Sequence, residues 1–152
     1  DEKKDLAPLL KAKQNFEIVI NRYPKSDFAM DSELKLEAIE EILASKEMYT
    51  ARYYFEREKW IPAINRYKNI LENYETTIFA AEALHRLVEI HYKIGLEKEA
   101  KKYAILLGYN YQSSEWYEES YKIFNKKYKK KSLKKKNSLT KSTLEKLKSL
   151  IQ

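Results

Sequence analysis

The chain has 152 residues, 43% apolar and 35% charged, with two glycines, three prolines and no cysteine. That composition suits one compact domain or one short solenoid, leaves too few turn residues for a sheet protein, and excludes disulfides, cysteine-ligated zinc and thiol catalysis. The net charge of +7 is unevenly placed: residues 126–152 hold eleven lysines against one acid, Glu145, so this stretch carries +10 and residues 1–125 carry −3.

The chain opens Asp1-Glu2-Lys3-Lys4, with neither an initiator Met nor a signal-peptide pattern, which reads as a processed form or a fragment. No apolar run approaches the roughly 20 residues that a membrane-spanning helix needs. A first helix is expected over 8–23, with Pro8 in its first turn, and it runs into the phrase Arg22-Tyr23-Pro24-Lys25-Ser26-Asp27-Phe28. The same skeleton, a polar residue, a tyrosine, a hydroxyl residue three further on and an aromatic two beyond that, returns as Asn73-Tyr74-Glu75-Thr76-Thr77-Ile78-Phe79 and Asn110-Tyr111-Gln112-Ser113-Ser114-Glu115-Trp116. A recurring unit stacks on its copies rather than folding alone, which makes the chain a helical-repeat scaffold.

The phrase tyrosines, at 23, 74 and 111, lie 51 and 37 positions apart. The second step is close to the roughly 34 residues of a tetratricopeptide unit, and the first is about 17 too long. No Pro or Gly falls between Lys25 and Ile61, so the surplus is placed inside one overlong helix over 27–57, a rod of roughly 46 Å. Further helices are expected at 61–74, 78–94, 97–109 and 115–128, with Ser26, Thr77 and Ser114 as N-terminal caps and Gly95 and Gly108 at helix ends. Ala12, Phe16 and Val19, then Ala63, Tyr67 and Ile70, then Ala100, Ala104 and Leu107, repeat one packing face.

The resulting organisation is a tetratricopeptide-repeat domain over 1–128 and a lysine-rich tail over 129–152. The tail contains a short amphipathic helix at 143–151, opened by the capping-box pattern Ser142-Thr143-Leu144-Glu145 and offering Leu144, Leu147, Leu150 and Ile151. The tail has three readings: a solvated terminus, a dock for an anionic membrane surface or acidic partner, and a nucleic-acid contact. The last is disfavoured because the tail lacks arginine and only Tyr128 could stack on a base.

Chemistry is sparse. His85 and His91, six positions apart on a helix, are separated by about 240° and cannot share a metal on one face. There is no glycine-rich phosphate loop, and Glu37, Glu40, Glu41, Glu47, Glu56 and Glu58 read as a solvated helix face, so no enzyme and no cofactor are expected. Tyr49, Tyr53, Tyr54, Phe55 and Trp60 gather near Arg52, Arg57 and Arg66, with Tyr54 expected in the core and others available to a partner.

The run Arg22-Tyr23-Pro24-Lys25-Ser26, the stretches Leu43-Ala44-Ser45-Lys46-Glu47 and Ala51-Arg52-Tyr53-Tyr54, then Trp60-Ile61-Pro62-Ala63-Ile64-Asn65-Arg66-Tyr67 and Glu82-Ala83-Leu84 resemble the BamD family over about residues 9–117. These are lipid-anchored tetratricopeptide proteins of the outer-membrane β-barrel assembly machinery, and the match corresponds to the C-terminal part of their repeat array. The resemblance implies a non-enzymatic periplasmic subunit that docks on the last periplasmic domain of the barrel-inserting BamA protein. It carries Arg66 over as a salt-bridging contact to that partner, with Asn65, Trp60, Lys59 and Arg57 as its neighbours. It further implies contact of other C-terminal surfaces with the accessory lipoprotein BamE, and of the N-terminal repeats with unfolded outer-membrane proteins. Three departures stand out: the lipidated N-terminal cysteine and first repeats are missing from the chain, Glu75 and Gln112 replace the proline of the first phrase, and the lysine-rich tail exceeds the resemblance. The competing expectation is a tetratricopeptide adaptor whose basic tail binds an anionic membrane surface or nucleic acid.

Overall fold

The computed structural model describes residues 6–125 and, among them, six helices and no strand: α1 (Ala7–Arg22), α2 (Asp27–Glu56), α3 (Trp60–Asn73), α4 (Phe79–Lys93), α5 (Glu97–Asn110) and α6 (Glu115–Phe124). The expected helix at 143–151 and the domain boundary at 128/129 lie outside the described residues. Each helix packs on the next in sequence, and α4 also packs on α2 and on α6. The chain is therefore a solenoid with α2, α4 and α6 stacked as one layer and the intervening helices as the other, the arrangement of a tetratricopeptide array.

The thrice-written phrase is a hydrogen-bonded corner. In each copy the tyrosine N–H donates to the carbonyl four residues back, closing the helix, and the hydroxyl residue donates to the tyrosine carbonyl: Ser26 Oγ to Tyr23 O at 2.7 Å, Thr77 Oγ1 to Tyr74 O at 2.7 Å and Ser114 Oγ to Tyr111 O at 2.8 Å. Ser26 and Ser114 then accept the amides of Ala29 and Tyr117, each at 3.2 Å, as N-caps worth about 1 kcal/mol apiece. Thr77 does not cap its helix. Ile78 takes the N-cap position of α4 without a side-chain bond, and its amide donates instead to Glu41 Oε1 of α2 at 3.1 Å.

The alternate corners use a different device. After α2, Glu58 N–H bonds Phe55 O at 3.0 Å and Lys59 N–H bonds Tyr54 O at 3.0 Å; after α4, Gly95 N–H bonds Tyr92 O at 3.1 Å and Leu96 N–H bonds His91 O at 2.8 Å. Both are Schellman closures, which require a left-handed residue at the turn. Gly95 supplies it at φ 83°, as expected of a glycine at a helix end, whereas Glu58 adopts φ 55° with a side chain. Gly108 is not a helix stop. It lies inside α5, where a Cβ would meet Tyr117 Cε2 at 2.8 Å, so its role is to let α6 approach.

Ten residues of α4 are buried, more than in any other described helix, because α4 is covered on several sides. Met48 and Ala51 of α2, Ala63, Tyr67 and Ile70 of α3, and Ala83, Leu87 and Ile90 of α4 form the main core, with Tyr54 half-buried against it. Ala81, Leu84 and Leu107 continue it towards Trp116 and Tyr117. Ala100 is buried and Ala104 half-buried, while Ala12, Phe16 and Val19 are only half-buried, since α1 packs on α2 alone. Over its 30 residues α2 spans about 45 Å. Its first half leaves Phe28, Met30 and Leu34 exposed.

Candidate interaction site at the corner of α2 and α3

The Schellman closure at Glu58 turns the chain sharply and starts α3 at Trp60, with Lys59 as an N-cap that makes no side-chain cap bond. Trp60 packs edge-on to Phe55, ring centroids 5.8 Å apart, and Lys93 Nζ of α4 sits 5.1 Å from the Phe55 ring and 5.4 Å from the Trp60 ring. Arg57 lies flat on Tyr53, its Cζ 3.7 Å from the ring centroid, and donates from Nη1 to the Tyr53 carbonyl at 3.2 Å. Tyr53 also meets Tyr54 edge to face, so a half-buried ring supports an exposed one. Both cations are thus held against aromatic faces, each contact contributing on the order of 0.5–1 kcal/mol.

Arg66 is engaged within the chain. Its Nη1 donates to both carboxylate oxygens of Glu47 on α2, each at 3.0 Å, and 46% of the side chain remains exposed. At about 100° per residue, Trp60 and Arg66 flank the buried Ala63–Tyr67–Ile70 stripe on opposite sides, and Asn65 faces away from it. The five expected contact residues therefore form two groups, Arg57, Lys59 and Trp60 at the corner and Asn65 and Arg66 along the outer flank of α3, rather than one patch.

The acids of α2 are not simply a solvated face. Glu47 holds Arg66, Glu40 accepts from Lys13 of α1 at 2.6 Å and Glu41 receives the Ile78 amide. These pairings need partners 19 to 37 residues away, so only the packing register reveals them.

Behind the corner lies a buried polar network. Glu82 of α4, its side chain 6% exposed, accepts from Arg52 Nε at 2.9 Å and from Arg52 Nη2, a two-point pairing that links α2 to α4. Arg86 lies 3.5 Å from Glu82, donates to Glu89 at 2.6 Å, and is sandwiched between Phe55 and Trp116 at 5.0 and 5.5 Å. His85 is buried, with Nδ1 2.8 Å from Ser120 Oγ of α6 and Nε2 3.5 Å from Glu89. Burial holds its pKa below the usual histidine range, more strongly than the Glu89 charge raises it. His91 is buried, with Nδ1 2.7 Å from Leu87 O. The sequence signal for this network was Glu82 standing alone within the small-residue run Ala80-Ala81-Glu82-Ala83, where a carboxylate must find a cation. Among the described residues no three His, Cys, Asp or Glu side chains gather as metal ligands, and no helix is long and apolar enough to cross a membrane.

The family model described as "YfiO: Outer membrane lipoprotein" matches residues 1–107. Similar curated proteins each carry the description "Outer membrane protein assembly factor BamD". One from Rickettsia prowazekii (strain Madrid E) is 44% identical over 112 residues, 74% of this chain and 45% of the relative. One from Caulobacter vibrioides is 38% identical over 125 residues, 82% of this chain and 41% of the relative. A third, from Vibrio cholerae, is 33% identical over 93 residues, 61% of this chain and 39% of the relative. The chain thus spans under half the length of these curated relatives.

Proposed function

The chain belongs to the YfiO/BamD family of outer membrane lipoproteins, and from that premise we propose that it is a non-enzymatic scaffold in outer-membrane protein assembly, acting at the periplasmic face of the outer membrane. Its partner at the α2–α3 corner is the periplasmic part of BamA. Other C-terminal surfaces meet accessory lipoproteins such as BamE, and unfolded outer-membrane proteins are substrates of the assembly it joins. The observation that carries this reading is the state of Arg66. Glu47 occupies its Nη1 and orients the guanidinium, while the half-exposed remainder faces outward with further N–H donors for a partner carboxylate. A pre-oriented cation loses little side-chain entropy on binding, so the pair fixes the docking angle at low cost.

Titration of the purified chain with the BamA periplasmic region tests this. Arg66→Glu should weaken binding by more than tenfold with helix content unchanged, and unchanged affinity would sink the assignment. Glu47→Gln separates the pair's two roles: it keeps the cation but loses its orientation, so the loss should be only a few-fold.

The +10 charge of residues 126–152 supports a second, additional contact with an anionic membrane surface. Removing residues 129–152 should abolish binding to anionic vesicles while BamA binding persists. Retained vesicle binding would assign that contact to the helical body.

A further inference from the structure

α2 has 30 residues and α3 only 14, so α3 covers just the second half of the long helix. The α3–α4 corner meets α2 at Glu41, whose Oε1 accepts the Ile78 amide at 3.1 Å, and residues 27–40 project past it as a shelf. Between shelf and corner runs a groove of about 610 Å³, lined by Leu34, Glu37 and Ala38 of α2 and by Thr76 and Thr77 of the corner. Two parallel i, i+4 rows form its helical wall. At about 100° per residue, Met30, Leu34 and Ala38 make an exposed apolar row, and Glu33, Glu37 and Glu41 make an acidic row about 60° round the helix. Met30 is 65% exposed, Leu34 67% and, across the groove, Ile78 78%. Glu40 is matched by Lys13, but Glu33 and Glu37 pair with no cation among the described residues. Ala29, Ser32 and Ile39, buried on this half of α2, lie on the side away from Leu34, so the two rows look towards the α3–α4 corner and not towards α1.

We propose that this shelf docks a basic amphipathic helix of a protein partner, its apolar row packed on Met30, Leu34 and Ile78 and its Lys or Arg side chains paired with Glu33, Glu37 and Glu41. Shape argues for a helix, because ridges of residues four apart seat between the ridges of another helix. Charge fixes the sign of the partner: three carboxylates along about 12 Å attract a basic row and repel a second copy of the same shelf. The far wall is set before the partner arrives, by the Ile78 amide on Glu41 and by Thr77 Oγ1 on the Tyr74 carbonyl. This surface is separate from the BamA contact, since Glu47, which holds Arg66, leaves α2 about 100–180° round from the apolar row.

The probe is a labelled helical peptide of about 18 residues, five turns, with one leucine row beside one lysine row. It is titrated with the full chain by fluorescence anisotropy, alongside the same peptide with glutamate for lysine. The lysine peptide should bind and the glutamate peptide should not. Leu34→Ser and Glu37→Lys, both at exposed positions, should each weaken binding by more than tenfold with helix content unchanged. Glu72→Lys makes the same charge change on an exposed position of α3, and Arg66→Glu disrupts the BamA contact; both should leave peptide affinity within about twofold. Unchanged affinity in Leu34→Ser overturns the proposal, as does an equal loss in Glu72→Lys, which would assign the attraction to net charge. A dimer in solution that Leu34→Ser disperses gives the shelf to a second copy. A gain in peptide affinity above tenfold on removing residues 129–152 gives it to the chain's own tail. Either outcome overturns the proposal as well.

Discussion

Glu58 and Gly95 hold equivalent turns 37 residues apart and form the same two hydrogen bonds, yet one of them carries a Cβ. Left-handed geometry disfavours an L side chain by about 1–2 kcal/mol relative to glycine, part of which the unfolded-state entropy of glycine takes back. Glu58→Gly should therefore stabilise the chain by about 0.5–1 kcal/mol in urea unfolding, and Gly95→Ala should destabilise it by about 1 kcal/mol. His85 gives a pH dependence with a definite sign. Its folded pKa is lowered, so the unfolded chain binds the proton more readily, and stability falls as pH drops below the ordinary histidine value of about 6.5 until the buried ring is itself protonated. The charges around it, Glu89, Glu119 and Glu82 raising and Arg86 lowering, do not reverse the effect of burial. His85→Asn should flatten the stability profile between pH 7 and 5, read from denaturant midpoints.

At the scale of elements, the Arg52–Glu82 pairing decides how α2 sits on α4. Glu82 is buried and Arg52 about half exposed, so removing the arginine leaves a carboxylate in the core, with Arg86 as its remaining cation. Arg52→Ala should cost about 1–3 kcal/mol, less than a fully buried pair because water reaches Arg52 and Arg86 persists. Arg52→Met with Glu82→Leu should cost less than the sum of the single changes, which a double-mutant cycle measures. Element boundaries were highly legible: the overlong helix was expected over 27–57 and runs Asp27–Glu56, because the phrase and the missing Pro and Gly leave one solution. What could not be read was side-chain pairing across helices. Glu47, Glu40 and Glu41 looked like solvent-facing acids because their partners are brought to them only by the crossing of α2 with α1, α3 and the α3–α4 corner. Arg57, Trp60 and Arg66 stand in a cationic and aromatic run of the sequence, whereas Lys59 and Asn65 enter only with the family resemblance, and the division of the five between the corner and the outer flank of α3 depends on which stripe is buried. Gly108 misled for a related reason. A glycine near a helix end signals a stop, yet here the close approach of the Tyr117 ring is what requires it.

For the whole molecule, α4 is the keystone, joining both clusters of the core and contacting α2, α3, α5 and α6. Leu87→Ala should cost about 2–5 kcal/mol and loosen amide protection on both sides of α4, whereas Ile78→Ala, at a position 78% exposed, should change stability by no more than about 0.5 kcal/mol. The contrast tests whether the described helices unfold together. The long α2 gives the array a mechanical character that its stability does not express. Its second half is clamped into the core by Met48 and Ala51, while its first half is tied to α1 through Lys13–Glu40 and to the α3–α4 corner through Glu41 and the Ile78 amide. A continuous helix transmits displacement along its axis with little bending, so α2 is a lever with its fulcrum in the core. About 5° of tilt there becomes roughly 2–3 Å of travel at Phe28, some 20 residues away along the helix, which ties the setting of the α2–α3 corner to the position of whatever is carried at the far end.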